Sequence, residues 1–468
     1  MDLKAGNSGK IHPDCAAAIK FVAAKSAQLG LAERVWRMSS VLWLAARIYL
    51  GYKSIQLWTR FIRNTGKEEL YRRQDLRAAR ALYKTAVKLE GLLIKASQFI
   101  ATRADILPDA WTTTLAALHD RVPPRSLEVI RAQIERETGR ALEATYAEFD
   151  PVPVASASLA QVHRGRLRDG RQCAVKVQYP GIEERVSADL RNLMLTLRIL
   201  ARLEPAFDFT ALTRELLKYV PMELDFVNEA RNCELVRRNF AGRDDVVVPA
   251  VYWEATTRRV LTMEFVEGIK VSDVAELERA GIDKHAVAQK LTEIYCEQIL
   301  RDGFFQADPH PGNILVRPGP QLVLLDFGLS KDFPPSFREG VVRLTFAILT
   351  ADRAAIAAAF DALGFKTRDG SLETMVSISD LLLGNTIKRQ KSYADPELIE
   401  EISEHLPRAL RNNPVVHIPA DILLIGRVMG LLSGLGKTLD SQVDLLATMM
   451  PYVQRLMVEQ ANAAAGGK

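Results

Sequence analysis

The sequence has few cysteines, no long apolar run and only a small excess of positive charge. Its four cysteines are far apart in 468 residues and form no C-x-x-C pair. Neither a zinc site nor a disulfide framework is therefore indicated, and a reducing compartment is favoured. No run reaches the roughly 18–20 clean apolar residues of a membrane-spanning helix. The start, MDLKAGNSGKIHPD, lacks the apolar core of a secretory signal, so we expect a cytoplasmic or organellar protein, with a cleaved organellar leader left open.

The distribution of charge excludes one class of partner. The net charge is +5, and residues 1–65 alone carry +7, from ten Lys and Arg against Asp2, Asp14 and Glu33. The remainder is therefore close to neutral, which argues against a broad nucleic-acid-binding surface. With 48% hydrophobic and 25% charged residues, the composition is that of a globular protein.

A basic, tryptophan-rich stretch lies near the start. Residues 35–61 read VWRMSSVLWLAARIYLGYKSIQLWTRF and hold three of the five tryptophans, Trp36, Trp43 and Trp58. Tryptophan among cations is typical of a helix that lies in the interface of an anionic membrane. A helix packed on the protein's own core, with arginine stems reaching outward, is the alternative.

Three polar residues occur at a spacing that suits phosphoryl transfer. Asp308 and Asn313 are five residues apart in ADPHPGN, and Asp326 opens Asp-Phe-Gly after an apolar segment. Protein kinases use this D-x-x-x-x-N and D-F-G order, in which Asn and Asp oxygens bind Mg²⁺. A lone D-F-G is most often a turn after a buried strand, but the two motifs together predict a magnesium and phosphate site.

Upstream, a helical pattern runs from Lys67 to Arg103 and places Lys95 and Gln98 on one face. Both are flanked by apolar runs, so we expect a partly buried lysine that needs an acidic partner. Farther along, two strand-like runs flank an Asp169-Gly170 turn and predict a β-hairpin.

This hairpin contributes two features of a nucleotide site. Its second run, QCAVKVQY, presents Lys176 in the setting of the phosphate-binding lysine of kinases, although a surface lysine on an edge strand is the alternative. The preceding loop reads VASAS at 154–158, where kinases have G-x-G-x-x-G. Because alanine restricts the backbone more than glycine does, we expect a stiffer loop that holds nucleotide differently.

These strings together resemble the ABC1/UbiB/ADCK (AarF) family of atypical protein-kinase-like proteins, from roughly Leu82 to Lys331. That family has an alanine-rich loop and an N-terminal K-x-G-Q motif. Further similar strings are SASLAQVH at 156–163, ELD at 223–225, FVNEARN at 226–232 and MEFVEG at 263–268.

The resemblance implies a role for each site residue. Those that would act on the phosphates are Lys176, its helix-borne partner Glu229 and the catalytic-loop Asp308. Magnesium would be held by Asn313 and Asp326. The N-terminal motif, which would cover the usual docking place of a protein substrate, comprises Lys95 and Gln98, and the acidic motif facing it comprises Glu223 and Asp225. Loop and hinge residues that would contact ATP are Ala155, Ser156, Ala157, Ser158, Glu264 and Val266.

The sequence departs from the family pattern at two positions. Ser97 stands where the N-terminal motif usually has glycine, which puts close packing of that helix in doubt. Gln306 stands where histidine is common, at a position that orients the catalytic loop. The five kinase-core residues are all present.

We expect an α+β, two-lobed protein-kinase-like fold with an N-terminal helical extension and an extended helical C-terminal lobe. The predicted divisions are a basic, Trp-rich helical region at 1–66, the helical extension at 67–150, the β-rich N-lobe at 151–265 and the C-lobe at 266–468. No A-P-E follows Lys331, so the activation segment on which peptide substrates depend is missing from the sequence.

The predicted function is Mg²⁺-dependent ATP binding, with ATPase activity or phosphotransfer to a small molecule or lipid. The resemblance implies a role in isoprenoid quinone (ubiquinone) biosynthesis or membrane-lipid homeostasis, with a lipid or quinone-precursor ligand. Peripheral membrane contact through residues 35–61 is expected, nucleic acid is not, and the oligomeric state is left open. The alternatives are a protein kinase, and a nucleotide-gated scaffold at a membrane that does not need turnover.

Overall fold

The computed structural model describes residues 25–59, 66–101, 108–118, 124–204, 217, 220–371, 375–376, 415–417 and 419–466. The chain divides into two compact units. The first comprises Met1–Glu229 and Val251–Phe265, and the second comprises Ala230–Ala250 and Val266–Lys468. Within the described ranges, no helix is both long enough and apolar enough to cross a bilayer.

Helices make up the first part of the first unit. In chain order they are α1 (Leu31–Thr59), α2 (Lys67–Leu89), α3 (Leu92–Ala101), α4 (Asp109–Ala116), α5 (Leu127–Thr138), α6 (Leu142–Thr145) and α7 (Ile182–Leu203); α8 (Phe226–Asn239) begins in this unit and ends in the other. Gly66 and Pro108 immediately precede α2 and α4, as expected of residues that do not continue a helix. The long helix α1 packs against α2 and α7.

The helical pattern from Lys67 to Arg103 corresponds to two helices rather than one. α2 ends at Leu89, and the next two residues, Glu90 and Gly91, have φ values of 57° and 60°. Two consecutive residues with positive φ cannot continue a right-handed helix, and glycine adopts positive φ at little cost. The Glu90–Gly91 bend therefore separates α2 from the short helix that carries Lys95.

An antiparallel sheet follows the helices of the first unit. Its strands are β1 (Tyr146–Phe149), β2 (Ala155–Ser156), β3 (Ala160–Leu167), β4 (Gln172–Gln178) and β6 (Val260–Glu264), in the order β1-β3-β4-β6 with β2 paired to β3. The expected hairpin is confirmed: β3 and β4 pair in register, and Gly170 in their turn has a φ of 93°. Val175 and Val177 are fully buried, and because side chains alternate along a strand, Lys176 lies on the opposite face of β4.

The second unit is mainly helical and contains short strands. Its helices after α8 are α9 (Val274–Arg279), α10 (Lys284–Cys296), α11 (Pro335–Leu349), α12 (Arg353–Leu363), α13 (Ala420–Thr438) and α14 (Leu445–Gly466). Its strands are β5 (Val246–Val247), β7 (Ile269–Lys270), β8 (Phe304–Gln306), β9 (Ile314–Arg317), β10 (Gln321–Leu324), β11 (Ser330–Asp332), β12 (Lys366–Thr367) and β13 (Val415–His417). They form a sheet of order β5-β10-β9-β7 and two separate pairs, β8 with β11 and β12 with β13. The α+β class is as predicted.

Candidate functional site

The predicted site residues fall into two groups, one in each unit. In the first unit, the Lys176 ammonium donates to both carboxylate oxygens of Glu229, at 2.7 and 2.9 Å. The lysine side chain is 19% exposed and the glutamate 3%. A strand therefore supplies the cation and the first turn of α8 supplies the anion, and the pair fixes the direction of the lysine amine.

Two neighbours hold this pair in place. The Lys176 Nζ lies 5.1 Å from the centre of the Phe226 ring. One Asp225 carboxylate oxygen accepts from the backbone N–H groups of Val227 and Asn228, at 3.0 and 3.4 Å, so that Asp225 caps the start of α8. Asp225 thus orients the helix that carries Glu229, a role that was not predicted from the sequence.

The alanine-rich loop is the end of a small hairpin. Ala155 and Ser156 pair with Val162 and Gln161, and the Ala157 N–H donates to the Ala160 carbonyl at 2.8 Å. The Ser156 hydroxyl is 2.8 Å from the Tyr179 hydroxyl. Within the same loop Ser158 is buried, at 6% exposure. These bonds fix the conformation of the loop, and its greater stiffness than a glycine-rich loop stays a prediction.

The predicted hinge residues lie on either side of the chain boundary between the two units, after Phe265. Glu264 is the exposed last residue of β6, paired with Cys173 of β4. Val266 is buried and belongs to the second unit. Their contact with nucleotide stays a prediction.

The N-terminal motif forms an ion pair within the first unit. The Lys95 ammonium lies 3.2 Å from a Glu223 carboxylate oxygen, and the two side chains are 29% and 15% exposed. The acidic neighbour required by a half-buried lysine is therefore Glu223. Gln98 lies on α3, but its side chain is outside the described part of the chain. Ser97 is fully buried, so the hydroxymethyl group that replaces the family's glycine fits inside the packing of α3.

In the second unit, a hairpin brings the predicted magnesium ligands to one end. β9 and β10 are antiparallel, with Ile314 opposite Leu324. Asn313 precedes the first strand and Asp326 follows the second, and the Leu325 N–H donates to the Asn313 carbonyl at 3.0 Å. The antiparallel register thus explains why residues 13 positions apart in sequence lie at the same end of the hairpin.

The loop that carries Asp308 is shaped by its own backbone bonds. The His310 N–H donates to the Asp308 carbonyl at 2.7 Å, and the Asn313 N–H donates to the His310 carbonyl at 2.9 Å. The His310 ring nitrogen Nδ1 accepts from the Gly312 N–H at 3.1 Å. His310 is therefore a shaping residue of this loop.

Gln306 connects the catalytic loop to Asp-Phe-Gly. It is 1% exposed, its amide donates to the Asp326 carbonyl, and its side-chain oxygen accepts from the Tyr295 hydroxyl at 2.7 Å. Burial and the nearby Asp308 carboxylate raise the pKa of Tyr295, which keeps this phenol protonated as a donor. The sequence marks Gln306 as a departure from the family pattern, at a position that orients the catalytic loop. The structure shows how it holds Asp326 in position.

The residues present fit magnesium by their chemistry. Asn313 and Asp326 offer an amide and a carboxylate oxygen, and the Asp326 carboxylate is further oriented by the Gly328 N–H at 2.9 Å. In the described parts of the chain, no group of three or more His, Cys, Asp or Glu has a metal-holding arrangement. A two-ligand set is what Mg²⁺ uses when waters and nucleotide phosphates complete its six oxygens.

The tryptophan-rich stretch forms most of α1, while residues 60 and 61 lie outside the described residues. Its large exposed apolar side chains are Val35, Trp36, Trp43, Leu50, Leu57 and Trp58. Four of them recur every seven residues, from position 36 to position 57, and the other two adjoin the ends of that row. Because seven residues make about two helical turns, the set lies on one side of the helix. Trp43, Leu50 and Trp58 are 61%, 62% and 64% exposed. This set is called the α1 stripe below. Arg47 lies over the Trp43 ring, 5.3 Å from its centre.

The buried side of α1 contains an arginine. Arg37 is 3% exposed, and its guanidinium donates to both carboxylate oxygens of Asp189 on α7, at 2.7 and 2.5 Å. It also donates to the Leu89 carbonyl at the end of α2, at 2.7 Å. Burial raises the pKa of Asp189 to about 6, although the guanidinium acts in the opposite direction.

Comparison with known proteins identifies the family. The model of the ABC1 atypical kinase-like domain matches residues 117–360. The chain is 33% identical to mouse AarF domain-containing protein kinase 1 over 421 residues, which cover 86% of this chain and 78% of that protein. It is 32% identical to the Arabidopsis thaliana chloroplastic protein ACTIVITY OF BC1 COMPLEX KINASE 8 over 427 residues, which cover 84% of this chain but only 56% of that protein.

A solved structure is similar in fold. It is the complex of Rv3197 with erythromycin, from Mycobacterium tuberculosis, with a TM-score of 0.57 and 24% identity. The match covers 82% of this chain and 97% of that one. Together with the family match, it confirms the kinase-like fold predicted from the sequence.

Proposed function

The chain belongs to the ABC1 atypical kinase-like family, and on that premise we propose that it binds ATP with Mg²⁺ and either hydrolyses it or transfers its γ-phosphoryl group to a small molecule or lipid. The observation that carries the proposal is the Lys176–Glu229 ion pair. Kinase catalysis requires a strand-borne lysine paired with a helix-borne glutamate, and here the lysine amine donates to both oxygens of the glutamate.

The side chains have distinct roles in this proposal. Lys176 binds the phosphates of ATP, and Ala155, Ser156, Ala157 and Ser158 cover them. Asp308 accepts the proton of the attacking hydroxyl or water. A bond forms from that oxygen to the γ-phosphorus, the bond to the β,γ-bridging oxygen breaks, and ADP leaves. Asn313 and Asp326 would hold Mg²⁺, which when bound would offset the negative charge of the phosphates.

A lipid or quinone-precursor substrate is proposed ahead of a peptide. The sequence has no A-P-E after Lys331, and peptide docking in kinases depends on that segment. The resemblance to the AarF family supports a role in ubiquinone biosynthesis or membrane-lipid homeostasis. The proposed location is the cytoplasm or an organelle interior, at a membrane surface.

The α1 stripe is the proposed membrane contact. A run of exposed tryptophan and leucine on one side of a helix, with Arg47 beside Trp43, suits the interface of an anionic bilayer. Isolated exposed apolar residues are common, but a continuous row along one helix needs a partner. A lipid surface is the partner whose chemistry fits both tryptophan and arginine.

Replacement of Asp326 tests the proposed activity. Asp326→Asn preserves size and removes the charge that holds Mg²⁺, and such a loss costs several kcal/mol of transition-state stabilisation, on the order of 10³-fold in rate. ADP release from ATP should be measured for both proteins, with and without phosphatidylglycerol-containing vesicles. Turnover that is equal in the two proteins would assign the activity to another site. No turnover by either protein would favour the scaffold alternative.

A further inference from the structure

Tyr179 connects the alanine-rich loop to a part of the molecule that the proposed reaction does not use. It follows β4 directly, three residues after Lys176, and is 3% exposed. Its hydroxyl is 2.8 Å from the Ser156 hydroxyl, and its N–H donates to the Leu159 carbonyl at 3.0 Å. One residue thus holds the loop by its side chain and its backbone.

The other side of the Tyr179 ring is covered by Arg125. The guanidinium carbon lies 5.3 Å from the ring centre, a cation–π distance. The Arg125 backbone exchanges two bonds with the Gln161 amide, at 2.7 and 3.2 Å. Gln161 is the strand partner of Ser156. Arg125 therefore contacts both residues that hold Ser156, through the Tyr179 ring and through the Gln161 side chain.

Arg125 is itself bound to an earlier part of the helical extension. Its guanidinium forms an ion pair with Glu90, one of the two residues of the bend between α2 and α3. Lys95, which pairs with Glu223, follows the same bend and is four residues after Gly91. A series of direct contacts therefore runs from the Glu90–Gly91 bend through Arg125 and Tyr179 to Ser156.

We propose that Tyr179 and Arg125 form a clamp that fixes the alanine-rich loop to the helical extension and thereby sets the affinity for ATP. Both are positioning residues, because they act on nucleotide through Ser156 rather than by contact. A loop held in its binding conformation loses less entropy when it closes on a ligand, so releasing it weakens binding. The effect on ATP rests on the proposed function, whereas the effect on the loop does not.

A matched pair of tyrosines tests the clamp. Tyr179→Phe removes one hydroxyl and keeps the ring under Arg125. Tyr146→Phe is the control, because Tyr146 is 2% exposed in the same sheet and its hydroxyl lies 2.8 Å from that of Thr262. Amide hydrogen exchange over residues 154–162 and ATP affinity by calorimetry should be measured for both variants.

The clamp predicts different results for the two. Tyr179→Phe should speed exchange in the loop and raise the dissociation constant for ATP by about three- to tenfold, the effect of one hydrogen bond. Tyr146→Phe should leave both unchanged, and Arg125→Gln should shift both in the direction of Tyr179→Phe. Unaltered exchange in Tyr179→Phe, equal acceleration in Tyr146→Phe, or faster exchange with unchanged ATP affinity would each overturn the proposal. If the wild type binds no ATP, the proposed function fails, and hydrogen exchange still decides whether the clamp exists.

Discussion

The strand region around Lys176 and the helix α1 both contain a buried ion pair, but the two pairs serve different ends. The Lys176 side chain is 19% exposed, and it pairs with Glu229, which is 3% exposed. Arg37 and Asp189 are 3% and 0% exposed. Arg37 of α1 bonds both Asp189 of α7 and the Leu89 carbonyl of α2, so these bonds join three helices. A partly open pair suits ligand binding, whereas a closed pair suits assembly of the fold.

The same helix α1 buries Val41 and Leu44 together with Arg37, and exposes the α1 stripe. The alternative to membrane contact was a helix on the core with its arginines pointing outward. In the structure α1 does pack on α2 and α7, yet Arg37 points inward and the α1 stripe is exposed. The Asp189 carboxylate and the Leu89 carbonyl accept from Arg37, which makes burial of the arginine tolerable.

The largest expected effect on stability comes from breaking the closed pair. Arg37→Gln leaves Asp189 buried without its guanidinium and should cost about 3–5 kcal/mol of unfolding free energy near pH 8. Glu229→Gln is the control. It should reduce the unfolding free energy by less than Arg37→Gln does, and it should reduce the rate of ATP turnover by roughly tenfold or more. Chemical denaturation and ADP release measure the two quantities. The reverse pattern, with Glu229→Gln the more destabilising, would contradict the comparison.

The cost of Arg37→Gln should depend on pH. Burial raises the pKa of Asp189 to about 6, and Glu33 and Arg185 also act on it. Between the unfolded chain's ordinary value and that raised value, the folded protein keeps a proton that the unfolded chain has released, so acid favours folding at this site. The guanidinium lowers the pKa of Asp189, so in Arg37→Gln that pKa lies above the wild-type value of about 6. The loss should therefore shrink as the pH falls towards about 6, because the carboxyl of the variant takes up a proton while that of the wild type is still charged, and it should level off below that pH. A loss that is independent of pH would mean that Asp189 is not the group left unpaired.

A smaller effect is expected from the exposed side of α1. Replacing Trp43 and Trp58 together by serine should lower sedimentation with phosphatidylglycerol-containing vesicles by about tenfold and leave the unfolding free energy unchanged. Point variants are preferable to deletion of residues 1–65, because deletion would also remove Arg37. Trp253→Ser is the control, since Trp253 is 40% exposed outside the α1 stripe. Equal losses in both proteins would show that α1 is not the membrane contact.

The smallest effect concerns Ser97. Its hydroxyl is buried and has no hydrogen-bond partner among the described residues. Ser97→Ala removes that orphaned group and should stabilise the protein by about 1 kcal/mol. Ser97→Gly, the family's residue, should be roughly 0.5–1 kcal/mol less stable than the alanine variant. Destabilisation by alanine, measured by chemical denaturation, would mean that the hydroxyl is bonded in solution.

The sequence predicted the residues whose spacing is imposed by chemistry. Asp308, Asn313 and Asp326 follow from the order of two motifs, and Lys176 follows from the hairpin. Glu229 and Glu223 could be named only through the family resemblance, because no local pattern marks the partner of a distant lysine. Asp225 precedes a helix, which is a recognisable capping signal. The resemblance instead placed it in an acidic motif that faces Lys95 and Gln98.

Contacts between distant segments could not be predicted. Arg37 and Asp189 are 152 residues apart, and neither stands out from the other charges of its helix. Tyr179 carries no motif, although it directly follows the strand that holds Lys176. The bend at Glu90–Gly91 had one signal, the glycine, within a stretch that otherwise reads as helix. Tertiary packing decides these features, and a single sequence does not encode them in a local pattern.

The dependence of ATP turnover on Mg²⁺ and on Asp326 tests the central claim most directly. ADP release should be measured for the wild type and Asp326→Asn over a Mg²⁺ titration that begins in EDTA. We predict turnover in the wild type that is absent in EDTA, rises with Mg²⁺ and saturates, and falls on the order of 10³-fold in Asp326→Asn. Turnover that persists in EDTA, or that is the same in both proteins, would contradict the account.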